Sequence, residues 1–179
     1  MRMLLLNGPN LGRLGQRQPE VYGTTTLADV EEACAIRADE LGHSIEAFQS
    51  NHEGALIDRI ERRDYDAIVI NPGALTHYAY ALHDALLGAE CPVVEIHISD
   101  ILAREPWRHV SVIEPVVSHR IMGHGWRGYL DAIDYLPEHE TPGGPAQDHA
   151  APPPRPRRRR RRRDQRGHHQ PGHRGPAAA

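Results

Sequence analysis

The side chains best suited to chemistry fall in short segments that each follow an apolar run. Asn10, Arg17 and Tyr22 follow the first run, and Asn71, Gly73, Ala74 and His77 follow the third. His97, Ser99, Arg104 and Arg108 follow the fourth, and Gly123 and Gly125 the fifth. Together they supply a phenol, imidazoles, guanidiniums, carboxamides and a hydroxyl, with no thiol among them. Three arginines suit an anionic group such as a carboxylate. A histidine exchanges protons near neutral pH. A tyrosine serves as a base only where cations stabilise its phenolate, because its unperturbed pKa is about 10. Arg17 lies in the same loop as Tyr22 and can supply that charge. The acidic residues are too scattered to hold a metal. The set implies proton abstraction by a base and proton donation to a leaving hydroxyl, with no cofactor, metal or covalent intermediate.

These residues need a scaffold that gathers them, and the pattern of the chain supplies one. Met3 to Asn7 reads as a buried strand, followed by a long polar loop from Gly12 to Thr24. Thr26 and Asp29 have capping-box spacing, and the helix they open runs to about Leu41, where Gly42 stops it. His43 to Phe48, Asp66 to Ile70, Pro92 to Ile96 and Val116 to Met122 read as further strands. Helices are expected after Ser50, over Thr76 to Leu87 and over Trp126 to Leu136. Such alternation is the signature of a parallel sheet covered on both faces. Five strands fit an α/β flavodoxin-like sandwich in the order 2-1-3-4-5 better than a six-stranded dinucleotide fold. In such sheets ligands bind beyond the carboxyl ends of the strands, and there the polar segments converge.

Composition narrows the class. The chain contains no lysine, which excludes imine catalysis, pyridoxal phosphate attachment and a Walker-type phosphate loop. The sequence changes character after Thr141. The tail from Pro142 to Ala179 has no aromatic residue and no Ile, Leu, Val or Met, and is expected to be disordered. Ten arginines against two aspartates give the tail a charge of about +8, while the body over residues 1–141 carries about −11. An acidic body argues against a nucleic-acid enzyme, although seven consecutive arginines from Arg157 to Arg163 suit weak polyanion binding. Cys34 and Cys91 have neither disulfide nor metal spacing. The opening MRMLLLNG is too short for a signal peptide, and no later apolar run suits a bilayer span, so a soluble cytoplasmic protein is expected.

The motifs also carry a resemblance. Leu6-Asn-Gly-Pro-Asn-Leu11 continues through Gly15, Arg17, Pro19, Glu20 and Tyr22-Gly23, and Gln49 to Gly54 forms a second signature. Asn71-Pro-Gly-Ala74 with Thr76-His77 is a third, and Val94 to Ser99 with Ala103-Arg104-Glu105 and Arg108 a fourth. Gly123-His-Gly125 through Gly128-Tyr129 completes the set. Over roughly Met3 to Leu136 the sequence resembles the type II 3-dehydroquinate dehydratases of the shikimate pathway. That resemblance implies an anti elimination of water from 3-dehydroquinate through an enolate, giving 3-dehydroshikimate. It makes Tyr22 the base, Arg17 the residue that depresses its pKa, Asn10 the holder of a water at the enolate oxygen, and His97 the acid. Asn71, His77 and Arg108 match ligands of substrate hydroxyls, the amides of Ile98 and Ser99 match a carboxylate cradle with the Ser99 hydroxyl close by, and Gly73 and Ala74 count among the substrate-binding residues. Arg104 matches an arginine at the site edge, and Asp84 an aspartate delivered by a neighbouring subunit in a trimer-based dodecamer. Glu95 is read as a supporting carboxylate for a rim arginine, and Asp84 as sharing a helix face with His77. The segment Leu14 to Tyr22 matches a loop that closes over the site. Gly12, Arg13, Asp100, Leu102 and Val110 depart from the family's usual residues, and none removes a catalytic group.

The competing readings are a flavodoxin-like binding or assembly protein that retains the pocket without turnover, and a nucleotide site at Gly123-x-Gly125. The second is disfavoured because that motif follows the last strand and lacks a third glycine.

Overall fold

Successive side chains of a strand point to opposite faces, so a strand apolar at every position must be covered on both sides. The computed structural model, which describes residues 1–16 and 23–139, contains three strands covered in this way, apolar but for Arg2, Asn7, Asn71, Glu95 and His97. In β1 (Arg2–Asn7) every residue but Arg2 is buried, and β3 (Ala67–Asn71) and β4 (Val93–His97) are buried throughout. They form the centre of a parallel sheet with β2 (Ser44–Gln49) at one edge and β5 (His119–Met122) at the other. The order is β2-β1-β3-β4-β5, as the flavodoxin-like reading expects.

The two faces are sorted by strand parity. Met3, Leu5, Val69, Val94 and Ile96 pack under α1 (Leu27–Glu40) and α4 (Gly128–Glu138). Leu4, Leu6, Ile68, Ile70 and Val93 pack under α2 (Glu53–Ile60) and α3 (Tyr80–Leu87). The Thr26 capping box is present, with its hydroxyl accepting from Asp29 N at 3.2 Å and Asp29 Oδ2 accepting from Thr26 N at 2.9 Å. Gly42 stops the helix with φ +75°. Among the described residues, no helix is long and apolar enough to cross a membrane. The change of character after Thr141 lies outside the described residues.

Three expected elements come out differently. The helix expected over Thr76 to Leu87 divides into a 3-10 turn, Gly73–His77, and α3. Tyr78 and Ala79 break it with non-helical backbone angles, because Thr76 and His77 are held by partners outside the segment. His77 and Asp84 therefore do not share one helix. The strand expected from Val116 is shortened to His119–Met122, since Glu114–Val116 forms a 3-10 turn with Pro115 at its start. Trp126 belongs to a 3-10 turn, Gly125–Arg127, that precedes α4.

Candidate active site

Beyond the carboxyl ends of β1, β3 and β4 lies a cavity of about 130 Å³. It is lined by Asn10, Asn71, Gly73, Ala74, His77, His97, Ile98, Ser99, Arg104 and Arg108, with Pro9, Leu11, Leu14, Ile101 and Trp107 adding apolar wall. The loops after β1 and β3 are drawn together by close backbone packing. Gly8 N donates to Asn71 O at 2.8 Å, and a Cβ on Gly8 would lie 2.4 Å from Pro72 O. No other residue fits that approach.

Parity decides what each strand end can hold. Glu95 and His97 lie two apart on β4, so both face the α3 side of the sheet. Glu95 is wholly buried, and His97 Nε2 donates to its Oε1 at 2.8 Å. Thr76 Oγ1 donates to the same oxygen, while Ser111 Oγ lies 3.0 Å from each carboxylate oxygen. Burial disfavours the Glu95 carboxylate. The hydrogen bond and charge of His97 and the two hydroxyls outweigh it, and the pKa is held below its ordinary 4.5. The sequence reading has Glu95 supporting a rim arginine; among the described residues it holds the imidazole. Nε2 is committed to the carboxylate, and Nδ1 is the ring nitrogen left for other work.

This pairing makes a stability prediction. Glu95→Gln replaces an acceptor-only group by one with an NH2 facing three donors, and should cost about 3 kcal/mol at pH 7. A carboxylate with a depressed folded pKa stabilises above its unfolded value and loses that contribution as pH falls through the folded value. The difference between parent and variant should therefore shrink as pH falls below about 4.5. Denaturant unfolding at neutral pH and at about pH 3.5 checks this.

The cationic wall comes from the loop after β4. Arg108 Nε donates to Glu105 Oε2 at 2.7 Å, and its guanidinium carbon lies 3.9 Å from the Trp107 ring centroid. Arg104 Nε lies 3.6 Å from the same carboxylate oxygen. A backbone hydrogen bond, followed by that from Arg108, holds the Glu105 carboxyl below its ordinary range. One carboxylate thus partly neutralises both guanidiniums. His77 Nδ1 donates to Val110 O at 2.7 Å, and its ring meets Trp107 edge-on at 5.3 Å. That bond fixes the tautomer and leaves Nε2 as the ring's other polar atom.

On the other parity, Asn7 and Asn71 are register partners, and both face α4. Asn71 Nδ2 donates to Tyr129 Oη at 3.0 Å, and Tyr129 Oη donates to Asn7 Oδ1 at 2.7 Å. Asn10 sits in the left-handed region with φ 68°, which asparagine tolerates better than most residues. Its N–H donates to Asn51 Oδ1 at 2.9 Å, and Gln49 Nε2 donates to Gly8 O at 3.2 Å, so the Gln49 to Gly54 motif braces the Asn10 turn. Glu53 Oε1 accepts from Leu82 N at 3.3 Å, a brace between α2 and α3.

The cavity gathers Asn10, Asn71, Gly73, Ala74, His77, His97, Ile98, Ser99, Arg104 and Arg108. Arg17 and Tyr22 lie outside the described residues. Asp84 is exposed on α3 and does not line the cavity of its own chain. Gly123 and Gly125 brace the end of β4 through bonds to His97 O (3.1 Å) and Ile98 O (3.0 Å). Asp100, at one departure from the family pattern, accepts from Leu102 N at 2.9 Å. Sequence reasoning gave no role to Thr76, Ser111, Asn7 or Tyr129. A polar residue inside an otherwise apolar run, as at Asn7 and Glu95, is the signal that such partners exist.

A family model described as Dehydroquinase class II matches residues 1–137. A 3-dehydroquinate dehydratase of Roseiflexus castenholzii is 51% identical over 138 residues, covering 76% of this chain and 88% of that protein. Catabolic 3-dehydroquinase 1 of Neosartorya fischeri is 52% identical over 136 residues, covering 75% of this chain and 91% of that protein. The crystal structure of the type II dehydroquinase from Butyrivibrio crossotus superposes with a TM-score of 0.75 at 43% identity, covering 76% of this chain and 97% of that one. With the five-stranded order and the cavity beyond β1, β3 and β4, these likenesses establish that the chain belongs to the class II dehydroquinase family.

Proposed function

We propose that the chain removes water from 3-dehydroquinate to give 3-dehydroshikimate, in the cytoplasm, by an anti elimination through an enolate. The observation that carries this reading is a buried histidine–carboxylate pair opening on a cavity walled by carboxamides, a second histidine and two arginines. Tyr22, as phenolate, takes a proton from the carbon beside the ketone. Arg17 supplies the positive charge that favours that phenolate. The charge that develops on the ketone oxygen is met by a water held by Asn10, an oriented donor better than bulk solvent. The enolate then collapses, the carbon–oxygen bond to the departing hydroxyl breaks, and His97 delivers the proton that makes it water. Ionised Glu95 compensates the positive charge of the ring while it carries that proton. Asn71, His77 and Arg108 bind substrate hydroxyls. The amides of Ile98 and Ser99, with the Ser99 hydroxyl close by, receive the carboxylate; Gly73 and Ala74 also bind substrate, and Arg104 stands at the site edge.

The experiment is ultraviolet detection of the conjugated enone when purified protein meets 3-dehydroquinate, with and without a chelator. Chelator-insensitive appearance of the enone is expected. Its absence overturns the reading.

The same reading takes Asp84 from a neighbouring subunit in a trimer-based dodecamer. Its exposure on α3, away from its own cavity, supports that use. A monomeric mass by light scattering would remove Asp84 from the site. The tail from Pro142 is taken as a separate low-complexity extension that the chemistry does not need, and its arginine run suits weak polyanion binding. Truncation after Thr141 is expected to change turnover less than about twofold and to abolish any salt-sensitive RNA or DNA association. Such an association surviving truncation would show that the tail is not its source.

A further inference from the structure

Asn71 is joined to α1 by a chain of side chains that crosses the buried face of the sheet. Gly73 N donates to Asn71 Oδ1 at 3.2 Å, and Asn71 Nδ2 donates to Tyr129 Oη at 3.0 Å. Tyr129 Oη donates to Asn7 Oδ1 at 2.7 Å, and Asn7 Nδ2 lies 3.4 Å from Glu31 Oε1. A carboxamide can be turned over with little change in shape, which exchanges its donor and acceptor. This one is held against that exchange from both ends. Turned over, Asn71 would set its NH2 against the Gly73 N–H and its carbonyl against a phenol whose only proton is committed to Asn7. Turning Asn7 as well would set its carbonyl against the Glu31 carboxyl. Tyr129 is wholly buried, and burial pushes its pKa up, so the phenol keeps the proton that makes it acceptor and donor at once.

We propose that Tyr129 is a positioning residue for this reaction: its phenol sets the direction of the Asn71 carboxamide, and hence the donor and acceptor that Asn71 turns toward substrate. The proposal rests on the reading of Asn71 as a substrate ligand. Tyr129 itself does not line the cavity and acts only through Asn71. One Nδ2 proton and one Oδ1 lone pair are used by the chain of bonds, leaving one of each for a substrate hydroxyl.

The test is a double-mutant cycle read in steady-state kinetics with 3-dehydroquinate. Tyr129→Phe keeps the ring and removes only the hydroxyl. It is expected to raise KM about tenfold with kcat within about twofold, as loss of a uniform binding contact requires. Asn71→Ala should do at least as much, and Tyr129→Phe added to Asn71→Ala should change KM by less than about twofold more. A merely structural role would lower the active fraction, and so kcat, and would multiply with Asn71→Ala. Either result overturns the proposal, as does an unchanged KM in Tyr129→Phe.

A second readout does not depend on turnover. In 15N-labelled protein the Asn71 side-chain amide, identified by its loss in Asn71→Ala, should shift and exchange faster with solvent in Tyr129→Phe. An unmoved signal overturns the proposal. If the parent produces no enone, the functional reading fails, and this signal alone decides the positioning. If Tyr129→Phe does not fold, Asn7→Ala removes the phenol's acceptor and is read in the same cycle.

Discussion

Replacing His97 by alanine is expected to lower kcat for 3-dehydroquinate about a thousandfold while the protein stays folded. Removal of a positioned general acid costs on the order of 10²–10⁴ in rate, and a hydroxyl is a poor leaving group without a proton. The size of the effect follows from how the ring is held. His97 is nearly buried, its Nε2 is committed to Glu95, and the carboxylate is in turn held by Thr76 and Ser111. The ring therefore presents its remaining nitrogen in one orientation, with no rearrangement needed when the proton moves. The hydroxyls of Thr76 and Ser111 remain on Glu95 in the variant, which is why the fold is expected to survive. Stopped assays on protein of confirmed circular dichroism check the result. A His97→Ala protein as fast as its parent would remove the ring from the acid role.

Tyr22→Phe is expected to reduce kcat by a similar factor, on the order of 10³, with KM changed far less. The substitution deletes one oxygen, the atom assigned to take the proton from carbon, and keeps the ring itself. Exchange of the substrate's proton beside the ketone with deuterated solvent separates this defect from that of His97→Ala. A variant lacking the base cannot break the carbon–hydrogen bond, so exchange stops along with elimination. A variant lacking only the acid still forms the enolate, and exchange outlasts elimination. Unchanged turnover in Tyr22→Phe would eliminate the base assignment.

The architecture is legible in the sequence because it depends on local pattern. Apolar runs at Met3, Ala67 and Val93, punctuated by turns and separated by helical periods, specify central parallel strands without reference to tertiary contacts. The rule that ligands lie beyond strand ends then names Asn10, Asn71, His77, His97 and Arg108 as neighbours, and the cavity contains all of them. The helix expected from Thr76 is divided for a physical reason. Propensity is a small bias per residue, and the bonds of Thr76 to Glu95 and of His77 to Val110 outweigh it.

What the amino-acid order determined by itself was the inventory and the rim: which groups are present, that no lysine can form an imine, and which strand ends carry the polar residues. What only the tertiary structure decided was pairing. Glu95 serves His97 because both lie on one face of β4, where Thr76 and Ser111 arrive from distant parts of the chain. Tyr129 reaches Asn7 and Asn71 because α4 crosses the opposite face. Side-chain hydrogen bonds between residues far apart in sequence depend on how helices pack on a sheet, and no periodicity along the chain encodes that distance.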